Sequence, residues 1–472
     1  MATLATARFA EILGTRRIDS EYFRPCYRTL SSRLDKLHTE TTPVLCLVSD
    51  GNHASVSRHF SSDPSIGPRY LRGQDIGGFF LGDTNPVYVP WSIFNSLGRS
   101  HILPGDVLLS IVGTIGMLSL VPKDAPALTG SCKIAILRPR QERISPEYLA
   151  VFLASSYGQF QIHRQTRGAV QMGLILEDMR FIRVPRFGAA EVVVCHEVEK
   201  AYAALVQAKS YYASAQQILK DELATNDVDL SHDLGYETQL AEISQTRRWD
   251  GEFYKPKYKR VLETILKAKT IKVERFVPVG RLLSYITNGH TPLYHDLTVG
   301  DVLFLTAEHV SDFRLDFGTD KRILHLHHHT ELARTALREG DILVTIKGKV
   351  GNCAVVRNCP SAANINQDVA LIRLRNGIHP YFFAAWFNSQ MGKQLVEQRS
   401  TGGINPFLGL GNLRGMPFPV IDHKEQHRIG VLVQETVEKA HSAEQEAANL
   451  LESAKRRVEE LIEQGAESHG SG

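Results

Sequence analysis

The residues best equipped for chemistry in this 472-residue chain are a histidine run, two glycine turns and a few polar loops. HLHHH at 325–329 supplies imidazoles, the commonest protein ligands for metals. On a strand, His325 and His327 would share a face. However, no HExxH and no paired cysteine ligands accompany them, and the run has no counterpart elsewhere in the chain. GTIG (113–116) and GKVG (348–351) look like pieces of a phosphate loop but lack the GxxxxGK[ST] spacing. They read better as turns between strands, with glycines supplying unusual backbone angles. The six cysteines (26, 46, 132, 195, 353 and 359) form no CxxC pair and read as reduced thiols. GxSxG, DPPY-like and PD-(D/E)xK patterns are also missing, which leaves no acid–base or nucleophile set for catalysis.

The remaining polar groups suit nucleic-acid binding. Lys347 and Lys349 flank Gly348. NINQD (364–368) contributes Asn366 and Gln367, whose amides can pair with adenine edges. RSTGGIN (399–405) combines Arg399, Thr401 and Asn405 with flexible glycines. RQTRGAVQ (164–171) offers Arg164, Thr166, Arg167 and Gln171, and Arg72, Thr114 and Lys133 complete the candidate DNA-binding set.

Those residues fall into two series because the chain is written twice. GDVLLSIVGTIG (105–116) matches GDILVTIKGKVG (340–351). RRIDSEYFRPCYR (16–28) matches RRWDGEFYKPKYK (247–259), RYLRGQDI (69–76) matches LFLTAEHV (303–310), and SCKIAILR (131–138) matches NQDVALIR (366–373). ISPEYLAVFLASSYGQF (144–160) matches IHPYFFAAWFNSQMGKQL (378–395), and LILEDMRFIRVP (174–185) matches LGLGNLRGMPFP (408–419). The offset stays at about 234 residues, so each half is one long copy rather than a short solenoid unit. In the glycine-turn motif, only Val112 against Lys347 and Thr114 against Lys349 change chemistry, and both changes add a positive charge.

Each copy predicts the same order of elements. A partly helical arm leads to a buried strand (GDVLLSIV), a tight turn, a return strand (MLSLVP), a helix near 146–160 and a long final helix. Apolar residues at spacings of three and four mark helices over 190–223 and 424–463. At 1.5 Å per residue, about 34 helical residues span about 50 Å, and such stripes want a helical partner. Val198, Leu205, Leu219, Leu432, Leu450, Leu451 and Val458 are the candidate partner-facing residues.

The organisation that follows is an arm (1–38), a first domain (39–189), a first long helix (190–224), a linker and second arm (225–272), a second domain (273–422), a second long helix (423–464) and a disordered tail (465–472). Charged residues make up 22% and hydrophobic residues 43%, with a net charge of +3, ordinary values for a globular protein. No apolar run approaches the roughly 20 residues of a bilayer span. The N-terminus carries no signal-peptide pattern, so the cytoplasm is the expected location.

GDxLxxxxGxxG, an NQD-type segment and a long helix, all duplicated, resemble the specificity subunit of type I restriction–modification systems. The resemblance covers nearly the whole chain. It implies an α/β (α+β) fold with two tandem target-recognition domains, each followed by a long helix, the two helices packing as an antiparallel coiled-coil spacer. It further implies a subunit without catalytic residues, metal or cofactor. Such a subunit reads a bipartite, asymmetric sequence in double-stranded DNA, one half per domain. The implied partners are two adenine methyltransferase subunits, which carry the S-adenosylmethionine, with or without an ATP-dependent restriction subunit. Asn366-Gln367-Asp368 becomes Ser131-Cys132-Lys133 in the first copy, and NGHTP (288–292) faces GNHAS (51–55), so these segments need not act alike in both halves. The rival reading is a non-catalytic tandem adaptor that binds proteins. A metal enzyme built on the histidine run ranks behind both.

Overall fold

The shared Gly-Asp at the start of each glycine-turn motif sets the centre of each half. A computed structural model describes the chain apart from residues 1–5, 16, 42–43, 49–52, 83–85, 141, 168–172, 224–229, 232–234, 269, 294–295, 404 and 469–472. It divides into two compact units, one of residues 1–205 with 444–472, the other of residues 206–443.

In the first unit the strand Val107–Ser110 is buried along its whole length. An unbroken apolar run of this kind belongs in the middle of a covered sheet. It lies between Ile134–Pro139 and Leu118–Leu120 in an antiparallel four-stranded sheet completed by Val44–Val48. The second unit repeats the order with Leu283–Asn288, Val369–Leu374, Ile342–Thr345 and Cys353–Val355. A second sheet in each unit holds one parallel pair, Arg69–Leu71 with Leu128–Gly130 and Val302–Leu305 with Ala363–Ile365.

Asp106 and Asp341 tie these sheets together. Both carboxylates are buried. Each accepts two hydrogen bonds from an arginine on the neighbouring strand: Arg138 to Asp106 at 2.7 and 2.8 Å, and Arg373 to Asp341 at 2.7 and 2.9 Å. Each also accepts the backbone N–H three residues before it, from Leu103 or Arg338. Charge-assisted, two-pronged pairs of this kind are strong and directional.

Where a single helix near 146–160 is predicted, two occur: Pro146–Ala154 then Ser156–Arg164, repeated as Pro380–Asn388 then Gln390–Arg399. Ser155 and Ser389 cause the break, because each hydroxyl caps the next helix by accepting from Gly158 or Gly392 N–H. A Cβ on Gly392 would lie 1.9 Å from the Trp386 carbonyl, so only glycine fits the sharp corner. The histidine run is likewise a short helix, His325–His329, and not a strand. Ile323 and Leu332 are buried in one cluster. A straight strand would carry them about 30 Å apart, so the segment between them must coil.

The two long helices run Ala189–Glu222 and His423–Ser468. In the first unit Val194 and Val198 share a core with Ala454, Val458 and Ile462, and Arg457 pairs with Glu197 at 3.0 Å. In the second unit Ala215 and Leu219 share a core with Ile429, Val433 and Val437, and Arg428 pairs with Glu222 at 2.7 Å. The second helix continues past the predicted boundary at 464, through residues assigned above to a disordered tail. Ala466 is buried, and a Cβ on Gly465 would lie 2.6 Å from Leu37, so packing against the first unit extends the helix. Most of the predicted linker, 224–229 and 232–234, lies outside the described residues.

Removing one partner of a buried ion pair leaves the other unpaired in a poorly solvated place. Asp341→Ala is therefore expected to destabilise the second unit by about 3 kcal/mol. The check is a drop in the urea midpoint that is larger than for Asp341→Asn, which keeps part of the hydrogen bonding.

Candidate nucleic-acid interface

The glycine turns are held by their flanking residues. Gly113 and Gly116 have φ of 86° and 90°, and Gly348 and Gly351 have 78° and 91°. Ser110 and Thr345, the like-for-like swap in the repeated phrase, are both fully buried and bond back into the turn, Ser110 to the Val112 carbonyl and Thr345 to the Lys349 carbonyl. Gly351 cannot change, because a Cβ there would lie 2.8 Å from Val396 in a backbone conformation that disfavours side chains.

Each turn is joined to two other candidate segments. Ile111 N–H donates to the Lys133 carbonyl (3.0 Å), and the Ile111 carbonyl accepts from Leu174 N–H (3.0 Å). In the second unit Ile346 N–H donates to the Asp368 carbonyl (2.8 Å), and its carbonyl accepts from Leu408 N–H (2.9 Å). The following loops form small antiparallel ladders, Arg167 with Gly173 and Thr401 with Phe407. Val112 bridges to Gly173, and Lys347 bridges to Phe407. The turn, the strand end at 133 or 368 and the loop after the helix pair therefore make one surface in each unit.

Within these surfaces the predicted residues divide into two groups. Thr114, Lys133, Lys347, Lys349, Gln367, Thr401 and Asn405 are exposed. Among the described residues no ion pair engages Lys133, Lys347 or Lys349. Gln367 is set by the adjacent NGHTP loop, since Thr291 Oγ1 donates to its side-chain oxygen at 2.9 Å. The surface of the second unit is thus a pair of free ammonium groups beside an anchored amide and two loop side chains.

The other group is committed internally. Asn366 is buried and uses both ends of its amide on Asp368, so it shapes the turn and its amide is not free to read a base. Arg72 is bound by Asp75. Arg167 makes a two-pronged pair with Asp178 (2.7 and 2.8 Å). The Thr166 hydroxyl is spent on the His163 carbonyl. Arg164 donates to the Tyr22 carbonyl and lies 4.3 Å from the centre of the Tyr22 ring. Arg399 lies over Phe253 at 5.7 Å, and burial, with the nearby Arg248 charge, pushes its pKa down to about 10. Gln171 lies outside the described residues.

The histidine run is tied into the same unit by ordinary polar contacts. His327 and His290 both bond to Glu331, and His328 bonds to Asn364. No group of three histidine, cysteine or acidic residues able to hold a metal occurs among the described residues. The arms are the contacts that motif reading passed over. Arg17 reaches the carbonyls of Gln165 and Thr166, and Arg248 reaches that of Ser400. The signal was present in the repeated Arg-x-Asp, which has no strand or helix pattern to give it a place.

Of the partner-facing helix residues, Val198, Leu219 and Val458 are buried within their own units. Leu205, Leu450 and Leu451 are half-buried. Leu432 is exposed, one residue before the buried Val433, which takes the core position.

No protein-family model matches the chain. It is 31% identical over 121 residues to the specificity subunit of the type I restriction enzyme EcoBI from Escherichia coli. That match spans 25% of this chain and 25% of the relative, so the likeness covers about a quarter of the relative's length. The solved type I S subunit from M. genitalium shares 13% identity at a TM-score of 0.40, covering 89% of this chain and 95% of that one. The HsdS subunit from Thermoanaerobacter tengcongensis shares 15% identity at a TM-score of 0.28, covering 90% and 96%. The sequence likeness, over a quarter of this duplicated chain, is to the specificity subunit of a type I restriction enzyme.

Proposed function

We propose that the chain chooses the DNA sequence on which adenine methyltransferase subunits act, each unit reading one half of a bipartite, asymmetric target. The observation that carries this reading is the duplicated surface in which a glycine turn, a strand end and a loop meet on the same backbone hydrogen bonds while their exposed side chains differ. Base edges specify and phosphates position. Free lysines at 347 and 349 suit phosphate, whereas Gln367 and Asn405 carry the donors and acceptors that base edges require. One scaffold used twice with different side chains gives two unlike half-sites.

The chain in this reading is non-catalytic. It binds no cofactor, and S-adenosylmethionine belongs to the methyltransferase partner. Two methyltransferase subunits dock on the long helices, and an ATP-dependent restriction subunit joins the complex in systems that cleave. The helices act as an antiparallel spacer, which is supported by the opposite ends paired within each unit, Glu197 with Arg457 and Glu222 with Arg428. A spacer of fixed length sets the distance between half-sites, as dimer geometry does in other DNA readers. No helix among the described residues is long and apolar enough to cross a membrane. The proposed place of action is the cytoplasm, where the DNA is.

Co-expression with an adenine methyltransferase of the same system, followed by genome-wide mapping of methylated adenine, tests the reading. The expected result is one motif with two separated halves. Exchanging residues 40–188 for those of a relative is expected to change one half and leave the other; a change in both halves would reject the modular reading.

Lys347→Ala is expected to weaken DNA binding. If Lys347 touches phosphate, the loss is uniform across sequences and the slope of log affinity against log salt falls by about one. A change of preference at a single base would instead assign it to base reading.

A further inference from the structure

The repeated arms end in the same cluster, built around an arginine, an aspartate and an aromatic ring. In the first unit Arg17, only 4% exposed, donates to both Asp19 oxygens at 2.6 Å. It also donates to the carbonyls of Gln165 (3.3 Å) and Thr166 (2.8 Å), where the loop leaves the helix Ser156–Arg164. In the second unit Arg248 donates to both Asp250 oxygens at 2.7 Å and reaches the Ser400 carbonyl at 3.5 Å, just past the helix Gln390–Arg399.

The ring closes each cluster. The Tyr22 ring centre lies within reach of both Arg17 (4.9 Å) and Arg164 (4.3 Å). The Phe253 ring centre lies within reach of both Arg248 (4.9 Å) and Arg399 (5.7 Å). The backbone carbonyl of each ring residue also accepts a hydrogen bond from the helix that precedes the loop, Tyr22 from Arg164 at 3.1 Å and Phe253 from Gln398 at 3.0 Å. The hydrogen bond to its partner holds Arg17 and Arg248 charged and keeps the Asp19 and Asp250 carboxyls below the usual carboxylate range. An aligned Arg-x-Asp thus makes the same connection in both copies, between the start of the copy and the loop some 150 residues later.

We propose that each cluster is a clasp that fixes the backbone where the following loop begins, making Arg17 and Arg248 positioning residues for sequence choice, one per half-site. The inference rests on the DNA-reading function proposed above. The guanidinium donates to loop carbonyls, its charge is matched by the aspartate, and the ring limits its tilt. Loop side chains such as Thr401 and Asn405 can select a base only when the backbone carrying them is fixed to within a fraction of an ångström. Neither arginine needs to touch DNA to have this effect.

The test uses the full-length chain assembled with its methyltransferase subunits and a randomised duplex DNA library, with selected sequences read out and affinity measured against salt. With Arg248→Ala, discrimination at one half-site is expected to fall about tenfold, within the cost of a mismatched base pair, and the other half-site to stay as in the wild type. Arg17→Ala is expected to give the reverse. The salt slope should not change, because a clasp releases no counterions. Arg248→Lys should behave like the alanine variant, since an ammonium cannot make the two-pronged pair. Asp250→Asn keeps the guanidinium over the ring and still loosens the clasp. It carries the test where Arg248→Ala does not assemble. Unchanged preference in these variants, equal loss at both half-sites, or a salt slope lowered by about one would overturn the clasp. A wild-type complex that selects no split sequence would reject the functional reading itself.

Discussion

The buried carboxylates of Asp106 and Asp341 are the constraint on which the rest of each unit depends. Each locks the central strand of its sheet to the neighbouring strand through Arg138 or Arg373 and closes the corner leading into that strand. The glycine turn lies at the other end of the same strand, so its position is inherited from this pair. A shift of one residue in pairing would turn Ser110 or Thr345 out of its buried place and release the turn. The ion pair therefore defines where the exposed side chains begin.

From that fixed point the units diverge only where divergence costs little stability. Val112 and Lys347 occupy the same place in a bridge to the next loop, and their backbones make it in the same way. What changes is the side chain above it. The same holds at the corner just after the parallel strand Arg69–Leu71 or Val302–Leu305 of the second sheet, where Asp75 accepts from Arg72 N–H and His309 accepts from Thr306 N–H. An acid and an imidazole do the same local task, and the surroundings gain different charge. A scaffold that tolerates such exchanges is what the proposed reading of two unlike half-sites requires.

Much of this was legible in the sequence because it depends on repeated local chemistry. The Gly-Asp motif, the buried strands and the two long helices follow from turn residues and apolar spacing, and the structure has them where the patterns point. The corner at Ser155 and Ser389 was hidden, because the apolar residues on either side keep a helical spacing across the break. The helix at His325–His329 has no signature in the histidine run itself, because the need to bring Ile323 and Leu332 into one cluster is not local. The candidate loops come together as segments, while the individual residues within them divide between exposed and internally bonded groups. Arg72, Arg167 and Asn366 look like binding residues in one dimension and are occupied by neighbours in three. The clasps formed by Arg17 and Arg248 span most of a copy, beyond the range of any spacing rule.

The first unit is assembled from two stretches, 1–205 and 444–472, with the second unit between them in sequence. Its core includes Ala454, Val458 and Ile462, which the ribosome makes after the whole of the second unit. The second unit, continuous from 206 to 443, can complete its core while the first still waits for its closing segment. Synthesis therefore finishes the later half before the earlier one. A chain that stopped before residue 444 would leave the first unit with an open apolar seam, so the loss would fall on a core whose other residues lie more than 200 positions earlier.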